Sequence, residues 1–166
     1  MSVVGFSGAR SVADAARVMD LVRAVVTRPD VTGVVTGACV GVDGIAGRFA
    51  HALRPDARHV VIVPADRSRV DPWWKALVHR DLLLSTTVPT VARFAPGLTV
   101  LYMPDGSSYR DRDRAVVTAS RRLVALPAYP ETDARSARSG TWLTVRLARE
   151  ARVPVEVAVL NGLTPG

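Results

Sequence analysis

Val31-Thr32-Gly33-Val34-Val35-Thr36, running straight into Gly37-Ala38-Cys39-Val40-Gly41-Val42-Asp43-Gly44-Ile45-Ala46-Gly47, decides how this chain folds. The first stretch is β-branched apart from Gly33, which suits a pleated strand. Behind the glycine-rich turn, Val42, Ile45, Phe49 and Leu53 share one helical stripe, with Arg48 and His51 outside it. A strand that enters a helix through such a turn presents backbone N–H groups and a positive helix end. The turn is therefore a candidate anion site, with Gly37, Ala38, Gly41, Val42 and Asp43 as its residues. Two junctions of the same kind, Gly5-Phe6-Ser7-Gly8 and Ser139-Gly140-Thr141, add weight to it.

Working outward, the pattern repeats. Ser2–Phe6 reads as a strand, with Ser11 able to cap a helix that carries Val12, Ala15, Met19, Val22 and Val26. His59–Val63 is a third strand, closed by Pro64, and Pro72 opens a short helix through Trp73, Trp74, Leu77 and Val78. Asp81–Val91 reads as either helix or strand. Leu98–Tyr102 is the fourth expected strand, followed by a helix near Tyr109–Ser120, a strand at Leu123–Leu126 and a polar loop, Ala128–Arg138. Gly140, Leu143, Leu147 and Ala151 line a last helix, and Val155–Leu160 closes as a strand. This alternation predicts an α/β fold: a Rossmann-like open, mainly parallel sheet with helices on both faces, forming a single domain over residues 1–166.

Composition narrows the partners. The net charge of +7 favours an acidic partner such as nucleotide phosphate or nucleic acid. All but one of the 22 basic residues are arginine, the exception being Lys75, a skew that weakens the reading of any single arginine. No apolar run is long enough to cross a bilayer and no signal pattern opens the chain, so a cytoplasmic protein without membrane contact is expected. One cysteine, Cys39, excludes an internal disulfide. With His51, His59 and His79 at no ligand spacing, neither a metal nor a cofactor is expected.

In a parallel sheet every strand-to-helix turn lies on the carboxyl edge, where ligands bind near the switch in strand order. Four turns thus share one rim, Gly5–Arg10, Gly37–Asp43, Met103–Arg112 and Pro127–Thr141, which brings Ser7, Gly8 and Arg10 together with Ser139, Gly140 and Thr141. Arg112 extends the buried stripe of its helix toward that rim; it is either a phosphate ligand or the partner of Asp105, Asp111 or Asp113. Asp43 either complements its helix dipole or accepts from ribose hydroxyls. Trp142 is a candidate to cover a base or to pack on a loop, and Cys39 a candidate nucleophile or a small loop residue. Trp73 and Trp74 read mainly as packing, and the loop Ala128–Arg138 as a lid or a solvated connection.

These residues resemble the SLOG superfamily of Rossmann-like nucleotide-binding domains, most closely its DNA-processing protein A (DprA/Smf) branch. There a Gly-Ser-Arg turn precedes Ser-Gly-x-Ala-x-Gly-Ile-Asp; here Ser7-Gly8-Ala9-Arg10 precedes Thr36-Gly37-Ala38-Cys39-Val40-Gly41-Val42-Asp43. The branch's Arg-Asn-Arg helix start is similar to Arg112-Asp113-Arg114, and its Ser-Gly-Ser/Thr-x-x-Thr segment to Ser139-Gly140-Thr141-Trp142-Leu143-Thr144. The resemblance implies a nucleotide or nucleotide-derived ligand at the carboxyl edge, or single-stranded nucleic acid, and is compatible with a homodimer. More distantly similar are the LONELY GUY-type phosphoribohydrolases, whose Gly-Gly-x-Gly-Thr-x-x-Glu motif ends on a catalytic glutamate. Thr144 stands at that position here, so the expectation is binding rather than hydrolysis. An N-glycosidase with a relocated carboxylate, Asp43 or Glu131, is the alternative, and no catalytic residue is assigned.

Overall fold

The computed structural model describes residues 1–76, 91–95 and 97–161. Its strands are β1 (Ser2–Gly8), β2 (Val31–Thr36), β3 (Arg58–Val63), β4 (Val91–Ala95), β5 (Leu98–Tyr102), β6 (Arg122–Leu126) and β7 (Val155–Val157). The helices are α1 (Ala15–Val26), α2 (Val42–Leu53), α3 (Tyr109–Ala119) and α4 (Gly140–Glu150), with 3-10 turns at Arg67–Arg69 and Ala134–Arg138 and a helical turn at residues 72–76. The strands form one open sheet in the order β4-β5-β3-β2-β1-β6-β7. Six of them run parallel, and only the edge strand β4 is antiparallel, to β5. The fold is the Rossmann-like α/β sheet that the alternation predicts.

Both faces are covered. On one, α1 and α2 pack Val18, Val22, Val26, Val42, Ala46 and Ala50 against Val4, Phe6, Val34, Val124 and Leu126. On the other, α3 and α4 bring Val116, Val117, Trp142, Val145 and Ala148 onto Val35, Ile62, Leu123 and Ala125. Alternate residues of each strand thus serve opposite faces, which explains near-continuous apolar strands such as β2. The turn at 72–76 buries Trp74 against Val61, Val63, Val100 and Tyr102, while the adjacent Trp73 stays about half exposed. This is packing, as the two-face geometry of neighbouring helical residues requires.

Boundaries differ from the sequence reading in a few places. Helix α1 begins at Ala15 and is capped by Asp14, whose side chain accepts from Arg17 N at 3.0 Å, not by Ser11. Residues Ala9 to Ala13 consequently remain a loop at the sheet edge. Strand β4 adds an antiparallel pair where the reading of Asp81–Val91 was ambiguous; Val91 opens it, whereas Leu77, Val78 and the stretch from Asp81 up to it lie outside the described residues. The final strand stops at Val157.

Candidate functional site

Strand order reverses between β1 and β6. The chain steps from β1 through β2 and β3 to β5, then crosses back to place β6 on the other side of β1. The turns after β1 and β6 therefore diverge and leave a crevice at the carboxyl edge. A cavity of about 590 Å³ occupies it, bounded by the β1–α1 loop, the starts of α2, α3 and α4, and the loop after β6.

Packing within the chain explains two of the glycines at this edge. A Cβ on Gly8 would lie 2.5 Å from the Val42 side chain, and one on Gly41 would collide with the Ala9 carbonyl oxygen. Gly41 also has φ +89°, a conformation that suits glycine. The β1–α1 loop is thereby laid over the start of α2, and Val42 N donates to Ala9 O at 2.9 Å. Gly44 N donates to Cys39 O at 2.8 Å. Part of the expected α2 anion cradle is thus occupied by the protein's own carbonyls. Ala38, at φ 61°, turns the chain so that Cys39 bridges Val70 and Val40 N reaches Arg69 O at 2.8 Å, which brings Arg69 to the cavity.

At the cavity floor lies a buried charge cluster. Ser108 and Asp111 form a capping box at the start of α3, fixing the turn that carries the next two residues. Arg112 Nη1 donates to Asp43 Oδ2 at 2.7 Å, and its Nη2 lies 3.2 Å from Asp113 Oδ1. All three side chains are over nine-tenths buried. A Cβ on Gly37 would fall on Arg112 Nη1 and within 2.6 Å of Asp43 Oδ2, so this glycine makes room for the ion pair. Arg112 is paired with Asp43 and Asp113 rather than left free for an incoming phosphate.

Burial dominates the titration of these groups. It pushes the Asp113 carboxyl up to about 6, with Arg112 opposing, Asp43 adding to the rise and the Thr144 hydroxyl opposing. Burial raises Asp43 too, with Arg112 and the backbone N–H groups of Gly8 and Cys39 opposing the rise. Burial alone would lower Arg112, yet its two carboxylates hold it charged and its pKa is raised. The Asp43 Oδ1 atom is left without a hydrogen-bond partner. Burial drives the Cys39 thiol up to about 12, which removes it as a nucleophile at neutral pH.

The far wall is built by α4 and the loop before it. Ser139 caps α4, its hydroxyl accepting from Trp142 N at 3.3 Å, while the first-turn N–H groups of Gly140 and Thr141 have no intrahelical acceptor. Ser139, Gly140 and Thr141 all line the cavity. Trp142 does not: its ring is buried in the core and its Nε1 donates to Tyr129 O at 2.9 Å. It anchors the loop, which is tied further by Ser136 Oγ to Pro130 O at 2.7 Å and by Glu131 to Arg149 at 3.1 Å. Thr144 is also below the surface, accepting from Ser7 Oγ at 3.3 Å and donating to Gly140 O at 2.9 Å.

Of the residues singled out by sequence, Ser7, Gly8, Arg10, Asp43, Arg112, Ser139, Gly140 and Thr141 meet around the cavity. Gly37, Ala38, Gly41, Val42, Trp142 and Thr144 shape it from behind. Sequence reasoning missed Arg69 as a lining residue, placed Tyr109 and Tyr129 within rim turns without singling them out, and gave Arg135 and Arg138 only a general loop role. The Arg135 guanidinium stacks on Tyr129 at 3.5 Å, and Arg10 and Arg69 approach Tyr109 at 5.0 and 5.8 Å. These contacts join distant segments and leave no local spacing to read. Glu131, a candidate relocated carboxylate, is not among the lining residues.

Comparison with solved structures agrees with this architecture. DNA processing protein A from Helicobacter pylori, solved in a study of its single-stranded DNA binding mode, superposes with a TM-score of 0.61 at 20% identity, over 93% of this chain and 64% of that one. This chain thus spans a little under two thirds of that protein's length. TM1055, a structural genomics target, superposes with a TM-score of 0.56 at 15% identity, over 93% of this chain and 72% of that one. No family model matches the chain, and no curated protein matches its sequence. This chain shares the Rossmann-like fold of both structures. Among the described residues no helix is long and apolar enough to cross a membrane.

Proposed function

We propose that the chain binds a nucleotide or nucleotide-derived ligand in the switch-point cavity, with a phosphate on the first turn of α4. The observation that carries this reading is the opening of that turn, with the Gly140 and Thr141 N–H groups, onto a cavity of about 590 Å³. Such a volume falls within the range of roughly 300–1,000 Å³ usual for small-molecule sites. Helix N-termini favour phosphate through both their N–H groups and their dipole. The exposed guanidinium of Arg138 adds charge on the same wall. Asp43 remains the candidate reader of sugar hydroxyls through its unpartnered Oδ1. Holding the ligand rather than cleaving it is favoured because both floor carboxylates are engaged by Arg112.

A ligand bound to the native state raises the melting temperature, by an amount that grows with the logarithm of its concentration over Kd. Millimolar AMP or ADP is expected to stabilise the protein; no shift with any nucleotide would defeat the reading. Single-stranded DNA is the second reading, favoured by the exposed Arg10, Arg69, Arg135 and Arg138 at the mouth and by what the Helicobacter pylori neighbour binds. It predicts oligonucleotide binding that weakens steeply with salt.

A further inference from the structure

We infer that the cavity contains a second anion subsite, formed by Arg10 and Arg69 around Tyr109, and that its ligand is a nucleotide with phosphates on two separate arms. This rests on the reading above, which puts one phosphate on α4. Arg10 comes from the β1–α1 loop, Arg69 from the turn after β3 and Tyr109 from the start of α3. Both guanidiniums converge on one ring, at 5.0 and 5.8 Å from its centroid, with Arg112 approaching at 6.0 Å. Two guanidiniums on one ring concentrate positive charge on this wall of the cavity, which an anion would offset. Arg112 is neutralised by Asp43 and Asp113, and across the cavity Arg135 sits on Asp133 at 2.7 Å. Among the described residues neither Arg10 nor Arg69 has a carboxylate partner.

The cluster is also held in place. Tyr109 Oη donates to Asp66, at 3.2 Å from its backbone O and 3.4 Å from its carboxylate Oδ2, Arg69 O accepts from Val40 N at 2.8 Å, and Gly41 packs directly against the Ala9 and Arg10 carbonyls. By strand order, the start of α2, which carries Asp43 and follows β2, lies between the turn after β3 that carries Arg69 and the loop after β6. Asp43 is 4% exposed, lines the cavity and keeps Oδ1 without a partner. Two anion positions with a buried acceptor between them match a sugar that carries phosphates on two different oxygens and turns a hydroxyl toward Asp43.

Adenosine 3′,5′-bisphosphate and ADP test this directly, being nucleotides with two phosphates that differ in where the second one sits. By isothermal titration the 3′,5′-bisphosphate is expected to bind at least roughly tenfold more tightly than ADP. Arg10→Gln and Arg69→Gln, both at exposed positions, are expected to abolish that preference, with a clearly larger loss for the bisphosphate than for AMP. ADP binding as tightly as its isomer would overturn the inference, as would equal losses for AMP and the bisphosphate in both variants. Affinity that keeps climbing to an oligonucleotide of about 15 residues would also overturn it, identifying the arginine wall as a track for a polymer. If AMP, ADP and the bisphosphate all fail to bind, the proposed function itself falls; if AMP binds and the bisphosphate gains nothing, only this inference does.

Discussion

Gly37→Ala is the sharpest probe of why the glycine turn has its composition. Gly37 does not occupy the left-handed region, so alanine meets no backbone penalty there. Its Cβ would nevertheless fall on Arg112 Nη1 and within 2.6 Å of Asp43 Oδ2. The guanidinium must then leave Asp43, which is 4% exposed and has no other side chain to pair with. Breaking a buried ion pair while one charge stays behind costs about 3–5 kcal/mol. For a chain of this size each kcal/mol moves the melting temperature by about 2–4 °C, so a fall of about 6–20 °C is expected. Gly140→Ala is the matched control: nothing lies within 4 Å of its added Cβ, and its stability should stay within about 0.5 kcal/mol of the parent. Urea unfolding of both variants reads the difference. Equal stabilities would refute the argument that Gly37 is small because Arg112 fills its side-chain space.

Two further outcomes follow from the titration of buried groups. Asp113 is raised from 3.8 to about 6, so the stability it contributes is fully present below its unfolded value and lost as pH rises through about 6. Asp113→Asn should therefore gain up to about 3 kcal/mol relative to the parent between about pH 4 and pH 7, an upper bound because the variant also loses a partner of Arg112. Buried His59, lowered chiefly by burial, works in the opposite direction but is present in both proteins and cancels in the difference curve; a flat difference curve would count against the buried-carboxyl argument. Cys39, 2% exposed and pushed up to about 12, should resist iodoacetamide in the native protein and react only on unfolding. Alkylation at the rate of a free thiol near pH 8 would mean that the β2–α2 turn is open to solvent.

The sequence carried the fold well where strands and helices advertise themselves by period. Val31–Thr36 reads as a strand to the residue, and the stripes of α2 and α4 follow from their apolar spacing. It was weaker where two caps compete: Ser11 and Asp14 both suit an N-cap, and only tertiary packing of the loop at the sheet edge selects Asp14. Strand β4 went unread apart from Val91, the last residue of a stretch that suits either helix or strand. For the site, backbone turns were legible and side-chain partnerships were not. Arg112 pairing with Asp43, 69 positions away, has no local signature, although Asp113 was weighed as a partner. Trp142 could be placed at the start of α4, but only the fold shows its indole turning inward to hold Tyr129. Arg69 joined the cavity through the β2–α2 turn and its bridge to Val70, a contact that no spacing predicts.

The most direct test of the central claim removes one N–H from the α4 turn without disturbing the helix. Gly140 is the first helical residue, where proline is tolerated, and Ser139 at φ −73°, ψ 124° already has the conformation that precedes proline. Titration of AMP into Gly140→Pro should show affinity reduced roughly 10- to 100-fold, as expected for loss of one hydrogen bond to a charged phosphate. Gly140→Ala, which keeps the N–H, should bind like the parent. Equal AMP affinity in the parent and Gly140→Pro would contradict the claim that α4 receives the phosphate.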